Sequence, residues 1–277
     1  MRILAVTAGE PFAPPFLAAL RLARRFGATV VGAATVPTME TILMAPEMGV
    51  VLSDVHGRLV EAAEEQAHRA RIAFEELARS PEAVRPDGEA VGAEWLGGDR
   101  GPDIQSIGQL ARVFDLSVVA RPSTLSSNAG ALLETVLFES GRPVLMVPPE
   151  VPAHVGRRVL IAWNRSSETA RAVGLADHFL RRAEAVEVLS VEGGMVAGPD
   201  GRLLAETLRT NGVPATARHA VPEGQSAGEA VLAGAAAFDA DLIVKGAYTN
   251  SRLRQMIFGG MTQHLISAAD RPVLFAH

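Results

Sequence analysis

Late in the chain, Gly246-Ala-Tyr-Thr249 is followed by nine residues, Asn250 to Phe258, and then by Gly259-Gly260-Met261-Thr262. Glycines let a backbone approach an anion closely, and a helix opening on such a run adds N–H groups without acceptors and the positive end of its dipole. Phosphate is the chemistry that suits this pattern. Thr262 adds a hydroxyl donor, and Arg252 and Arg254 could place charge at the rim. The plainer reading of Gly-Gly is a tight turn before a helix. Lys245, just ahead of Gly246, either touches a phosphate or faces a covering helix. Other chemistry finds little footing. No Gly-x-Gly-x-x-Gly follows a first strand, and neither Gly-x-x-x-x-Gly-Lys-Ser/Thr nor Gly-x-Ser-x-Gly is present, which disfavours dehydrogenase, P-loop kinase and α/β-hydrolase. The seven histidines show no metal-ligand spacing. His264, after the glycine run, is close enough to consider but is first a helix-face residue. With no cysteine, disulfides, thiolate metal sites and thiol nucleophiles are excluded. No catalytic or metal-ligating residue is therefore assigned, and slow hydrolysis of a positioned phosphate is the most enzymatic reading.

The elements that would hold this loop come in two sets. Arg2-Ile-Leu-Ala-Val-Thr7 is echoed by Arg158-Val-Leu-Ile-Ala-Trp163, Asp115-Leu-Ser-Val-Val-Ala120 by Asp241-Leu-Ile-Val-Lys-Gly246, and Arg142-Pro-Val-Leu-Met-Val147 by Arg271-Pro-Val-Leu-Phe-Ala276. Short apolar, turn-bounded runs separated by amphipathic stretches predict buried parallel strands joined by helices. Strands are expected near 2–7, 28–36, 89–95, 115–120 and 142–147, and again near 158–163, 185–191, 213–220, 241–245 and 272–276. Helices are expected near 13–26, 55–79, 102–113 and 130–140, then 167–182, 200–211, 226–238 and 260–269. Alternation of this kind demands right-handed crossovers and helices on both faces. The fold class is thus α/β, two tandem doubly wound five-stranded parallel-sheet domains. The Pro-rich run from Val147 to Ala153 sets the boundary, giving domains 1–150 and 151–277. Residues 37–54 have no equal in the second half and are read as a surface loop, or as a lid or partner-binding segment.

Composition agrees. Hydrophobic residues are 48% and aromatics 5%, so small aliphatic side chains must fill the cores, as in sheets covered on both faces. A net charge of -5 with dispersed basic residues gives no footprint for nucleic acid or anionic lipid. No apolar run reaches the ~20 residues of a spanning helix, and the N-terminus lacks the features of a secretory signal. A soluble, cytoplasmic protein is expected.

The loop also carries a family likeness. The chain resembles the universal stress protein family, whose nucleotide-binding members have Gly, two residues, Gly, nine residues, then Gly followed by Ser or Thr. Gly246, the spacer and Gly259 match; Thr249 stands for the second Gly, and Gly260 for the hydroxyl residue. The family's first strand ends in an Asp that contacts the nucleotide, where this chain has Asn164-Arg165-Ser166, losing a charge-assisted bond. The resemblance implies an adenine nucleotide α-hydrolase-like fold. It also implies ATP, with Mg²⁺, held in the second half by Asn164, the backbone at Val191, Gly246, Thr249, Gly259, Gly260, Met261 and Thr262. It further implies pairing of the two fifth strands within the chain, association into a homodimer, and a regulatory or stress-response role. An interaction module of the same fold without nucleotide, or a weak ATPase, are the alternatives. In the first half the matching stretch is Ala120-Arg-Pro-Ser123, six residues, and Gly130-Ala131. Pro122 lacks an N–H, the spacer is short, and Glu10 follows the first strand, so that cradle is expected to be empty.

Overall fold

The computed structural model describes residues 1–36, 52–97, 101–125, 127–222, 224–247 and 260–277. The segment 37–51, most of the stretch read above as a loop or lid, lies outside them, as do Thr249, Arg252, Arg254 and Gly259. The described chain divides into two compact units, Met1–Ser140 and Gly141–His277.

The first unit runs β1 (Arg2–Thr7), α1 (Ala13–Phe26), β2 (Thr29–Ala34), α2 (Leu52–Ala78), β3 (Ala93–Trp95), α3 (Ile104–Leu110), β4 (Leu116–Ala120) and α4 (Asn128–Glu139). Its strands lie in the order β3-β2-β1-β4, all parallel. Local chemistry sets the ends. Prolines open α1, where a missing N–H is harmless, and Gly27 closes it in the left-handed region at φ 64°. Asp115, just before β4, accepts the Arg2 amide at 2.7 Å and so fixes the start of β1. The scarce aromatics gather here: Phe16, Phe74 and Trp95 stack edge-on or tilted, with ring centroids 5.3, 5.6 and 5.9 Å apart. Gly32 permits this, since a Cβ there would lie 2.7 Å from the Phe74 ring.

The second unit comprises β5 (Val144–Val147), β6 (Arg158–Ala162), α5 (Ser167–Leu175), α6 (Asp177–Leu180), β7 (Ala185–Val191), α7 (Gly201–Thr210), β8 (Ala215–Ala220), α8 (Ala227–Ala237), β9 (Leu242–Gly246), α9 (Gly260–Ala268) and β10 (Val273–Ala276). The order is β5-β10-β9-β6-β7-β8. All pairs are parallel except β5 with β10, which run antiparallel with Leu274 opposite Leu145. The division at Gly141 falls ahead of the Pro-rich run, and β5 pairs with β10. By this division the first unit carries β1 to β4 and the second β5 to β10. The single long helix expected at 167–182 is broken at Ala176 into α5 and α6.

The repeat shows in the anchors. Asp241 takes the place of Asp115 and accepts from the amides of Gly156, Arg157 and Arg158 at 2.8, 3.0 and 3.1 Å. Glycines mark where helices press on the second sheet. Gly201 of α7 sits over Val188 and Ser190, and Gly246 sits against the first turn of α5. Gly234 of α8 sits over Leu189 and Arg218, and Gly228 beside His264 of α9. Strand alternation makes these opposite faces, α5 and α7 on one, α8 and α9 on the other. On the second face Arg218 donates twice to the buried Glu187 and once to the Gly234 carbonyl, so that buried carboxylate is paired.

Candidate functional site

In an open parallel sheet the ligand crevice lies past the carboxyl ends of the strands, where strand order reverses. In the second unit that point is between β6 and β9. Four described segments meet there: the β6–α5 turn, the loop after β7, the end of β9 and the first turn of α9.

The β6–α5 turn is Asn164-Arg165-Ser166. Asn164 is buried, and its Oδ1 accepts from the Ser166 amide at 3.2 Å and the Thr169 hydroxyl at 2.6 Å. Ser166 caps α5 by accepting from the Thr169 amide. The side-chain oxygen expected to contact the nucleotide thus fastens the turn. Arg165 is held at φ 69°, a left-handed conformation uncommon for a residue of this size. Its Nε is buried without a hydrogen-bond partner among the described residues. An orphaned guanidinium nitrogen at the mouth of the sheet is a donor awaiting an acceptor. Sequence reasoning passed over Arg165, because nothing in its residue type foretells left-handed backbone; Asn or Asp would have done so.

The loop after β7 binds the other segments together. Its Val196 amide donates to the Asn164 carbonyl at 3.0 Å, and Gly198 lies so close to Arg165 that a Cβ would meet that carbonyl oxygen at 2.8 Å. Gly194 faces the Met261 methyl, which a Cβ would approach at 2.9 Å. Met261 therefore reaches from α9 to the β7 loop. Val191, the last residue of β7, is buried beside these groups. This glycine-rich run, Gly193, Gly194 and Gly198, was the signal in the sequence that could have found the loop.

Of the glycines expected to cradle phosphate, the two described ones differ. Gly246 ends β9, and a Cβ on it would fall 2.3 Å from the Thr169 nitrogen and 2.4 Å from the Glu168 carbonyl carbon. Its lack of a side chain is accounted for by close packing of strand on helix. Gly260 opens α9, is exposed, and has no described atom within 4 Å of the Cβ it lacks. Thr262 is buried one turn in. The helix thus presents its first-turn amides where a side chain would not obstruct them.

Lys245 is the chain's only lysine, and it is 3% exposed. Its Nζ donates to the Gly246 carbonyl at 2.7 Å. Burial lowers its pKa to about 8, opposed by the nearby Glu168 carboxylate.

The equivalent end of the first unit is closed by its own chain. Ser127 caps α4 by accepting from the Gly130 amide at 3.2 Å, and a Cβ on Gly130 would meet the Leu125 carbonyl at 2.2 Å. Glu10 is ion-paired with Arg69 at the surface. Among the described residues no group of three His, Asp or Glu could hold a metal ion, and no helix is long and apolar enough to cross a membrane.

The fold is that of an α/β protein with a mostly parallel, doubly wound sheet. Residues 156–277 match the universal stress protein family. A universal stress protein from Archaeoglobus fulgidus DSM 4304 has a similar structure at 16% identity, covering 99% of this chain and 95% of its own, with a TM-score of 0.70. A functionally unknown protein from Pseudomonas aeruginosa PAO1 is similar at 15% identity over 99% of this chain and 92% of its own, TM-score 0.51. These likenesses show the fold across both units. No curated protein matches the chain.

Proposed function

We propose that the second unit binds an adenine nucleotide, ATP with Mg²⁺, at the carboxyl ends of β6, β7 and β9, and that the chain acts as a regulatory or stress-response factor rather than as a dedicated enzyme. The observation that carries this reading is the buried Arg165 Nε without a partner among the described residues, at a strand end that also receives the open first turn of α9. Both are donors suited to phosphate oxygens. Gly260, Met261 and Thr262 would hold the phosphates through backbone N–H groups and the hydroxyl, Gly246 would let β9 approach α5, and Val191 would face the base. Asn164 would act chiefly by shaping the turn, since its Oδ1 is already used. The metal would neutralise phosphate charge.

One nucleotide per chain is expected, because the matching helix start in the first unit is occupied by Ser127 and the Leu125 carbonyl. Mass spectrometry of small molecules released from the purified protein, with calorimetric titration of ATP, tests both points. A stoichiometry near one, abolished by Gly260→Val, is the expected result. Stoichiometry near two sinks the asymmetry. No retained nucleotide and no binding at millimolar ATP leave an interaction module as the function.

A further inference from the structure

The position of Lys245 is a core position. Its counterpart in the repeat is Val119, fully buried in β4, where an apolar side chain satisfies the same environment. In the second unit that strand position holds a lysine, in a chain that otherwise uses arginine for every cation of its 26 basic residues. An arginine could not lose its charge there, whereas a lysine can. Alternation along β9 turns Gly246 toward α5 and therefore Lys245 toward the face of α8 and α9, opposite Phe275 of β10. The ammonium has three donors and one described hydrogen-bond acceptor, the Gly246 carbonyl at the strand's carboxyl end.

The surrounding charges do not complete it. Glu168 of α5 acts on it through space but accepts its hydrogen bond from Ser167. On the α8 and α9 side, Glu187 is engaged by Arg218 and Glu229 by the cap of α8. His264 of α9 lies against Gly228, and His277, beyond β10, contacts the Ala247 carbonyl. A buried amine with one acceptor among the described residues therefore stands at the carboxyl end of β9, the strand that leads to α9.

We propose that Lys245 is an anion-binding residue of this site whose protonation is coupled to occupancy, so that a polyphosphate enters together with a proton taken from solvent. This rests on the reading that the β9–α9 end receives phosphate. The step is the gain of one proton by a neutral amine, giving an ammonium that the anion's charge stabilises. In the free protein the two forms lie close to balance near pH 8, where burial has brought the amine. A nearby phosphate shifts that balance to the charged form. Anion affinity consequently weakens as pH rises through this range.

A single lysine makes the test clean, because protein labelled with ¹³C at lysine Cε gives one lysine resonance. Its titration is followed from pH 6.5 to 11 in free protein, with saturating ATP, and with inorganic tripolyphosphate. The expected midpoint is near 8 in free protein and higher by one unit or more with either anion, equivalent to a tenfold or greater loss of affinity for the neutral form. Calorimetry at pH 7 and pH 9 should show a loss of about five- to tenfold in the native protein and none in Lys245→Met. A free midpoint above 10, or one that neither anion moves, overturns the coupling. A midpoint moved by tripolyphosphate but not by ATP upholds Lys245 and refutes the adenine reading. ATP bound with an unmoved midpoint does the reverse.

Discussion

Gly246→Ala separates a packing glycine from a ligand glycine. The added methyl would lie 2.3 Å from the Thr169 nitrogen and 2.4 Å from the Glu168 carbonyl carbon, and both are backbone atoms that no rotamer change can move aside. Either β9 shifts from its register with β6 and β10, or the first turn of α5 is lifted off the sheet. Overpacking typically costs 1–3 kcal/mol, and a collision with helix backbone belongs at the upper end, about 3 kcal/mol. For a unit of this size that lowers the melting temperature by roughly 10 °C. The assay uses the placement of the two tryptophans. Trp95 lies in the first unit, and Trp163 is buried in the second with its indole N–H on the Pro199 carbonyl at 3.0 Å. In a Trp95→Phe background, fluorescence therefore follows the second unit. Gly260→Ala is the control: with no described atom within 4 Å of the new methyl, it should leave the midpoint unchanged or raise it by up to about 1 kcal/mol of helix stabilisation. If Gly246→Ala melts with the native protein, the close packing of β9 on α5 is wrong.

Lys245→Met should stabilise the second unit at pH 7. The folded pKa lies below the unfolded one, so the unfolded chain binds the proton more tightly and native stability rises from about pH 8 toward 10.5. The gap sets an upper limit of roughly 3 kcal/mol, read as a pH-dependent difference in urea midpoint that the variant abolishes. Glu82 is paired with Arg21 and its carboxyl lies below the usual range, so its contribution is present above the unfolded carboxylate pKa and lost as pH falls below it. Because the pair is partly solvated, Glu82→Gln should remove only about 0.5–1 kcal/mol from the first unit at neutral pH, and flatten its acid limb. Arg218→Ala leaves the Glu187 carboxylate buried and unpaired, and should cost the second unit about 3–5 kcal/mol by denaturant titration. Asn164→Asp keeps an acceptor for Ser166 and Thr169 and adds charge; nucleotide affinity that falls rather than rises would show that the carboxylate of the family motif has no place here.

Much of the fold was legible because buried parallel strands announce themselves. Arg158-Val-Leu-Ile-Ala and Leu242-Ile-Val have no polar alternation to hide them, and α1 and β7 fall where the sequence puts them. The pairing of β5 was not legible. Its run looks like any fifth strand, and its antiparallel pairing with β10 is a long-range choice that no local signal carries. At the site, motif spacing found the helix start of α9 but not the packing of Gly246 on α5, since a glycine needed against a helix and one needed against a phosphate have the same letter. Arg165 and the β7 loop were missed because their parts depend on backbone conformation and on partners distant in sequence.

The placement of β5 bears on how the chain can be cut. A nick at the exposed Ala153 and His154 would leave β5 covalently attached to the first fragment yet hydrogen-bonded to β10 of the second. Such a chain is built like a split reporter whose halves already share a tongue-and-groove joint. Dissecting it at the proline-rich run would strip β10 of its antiparallel partner and leave that edge open to aggregation. Expression boundaries for the second unit therefore belong before Gly141, with β5 carried along.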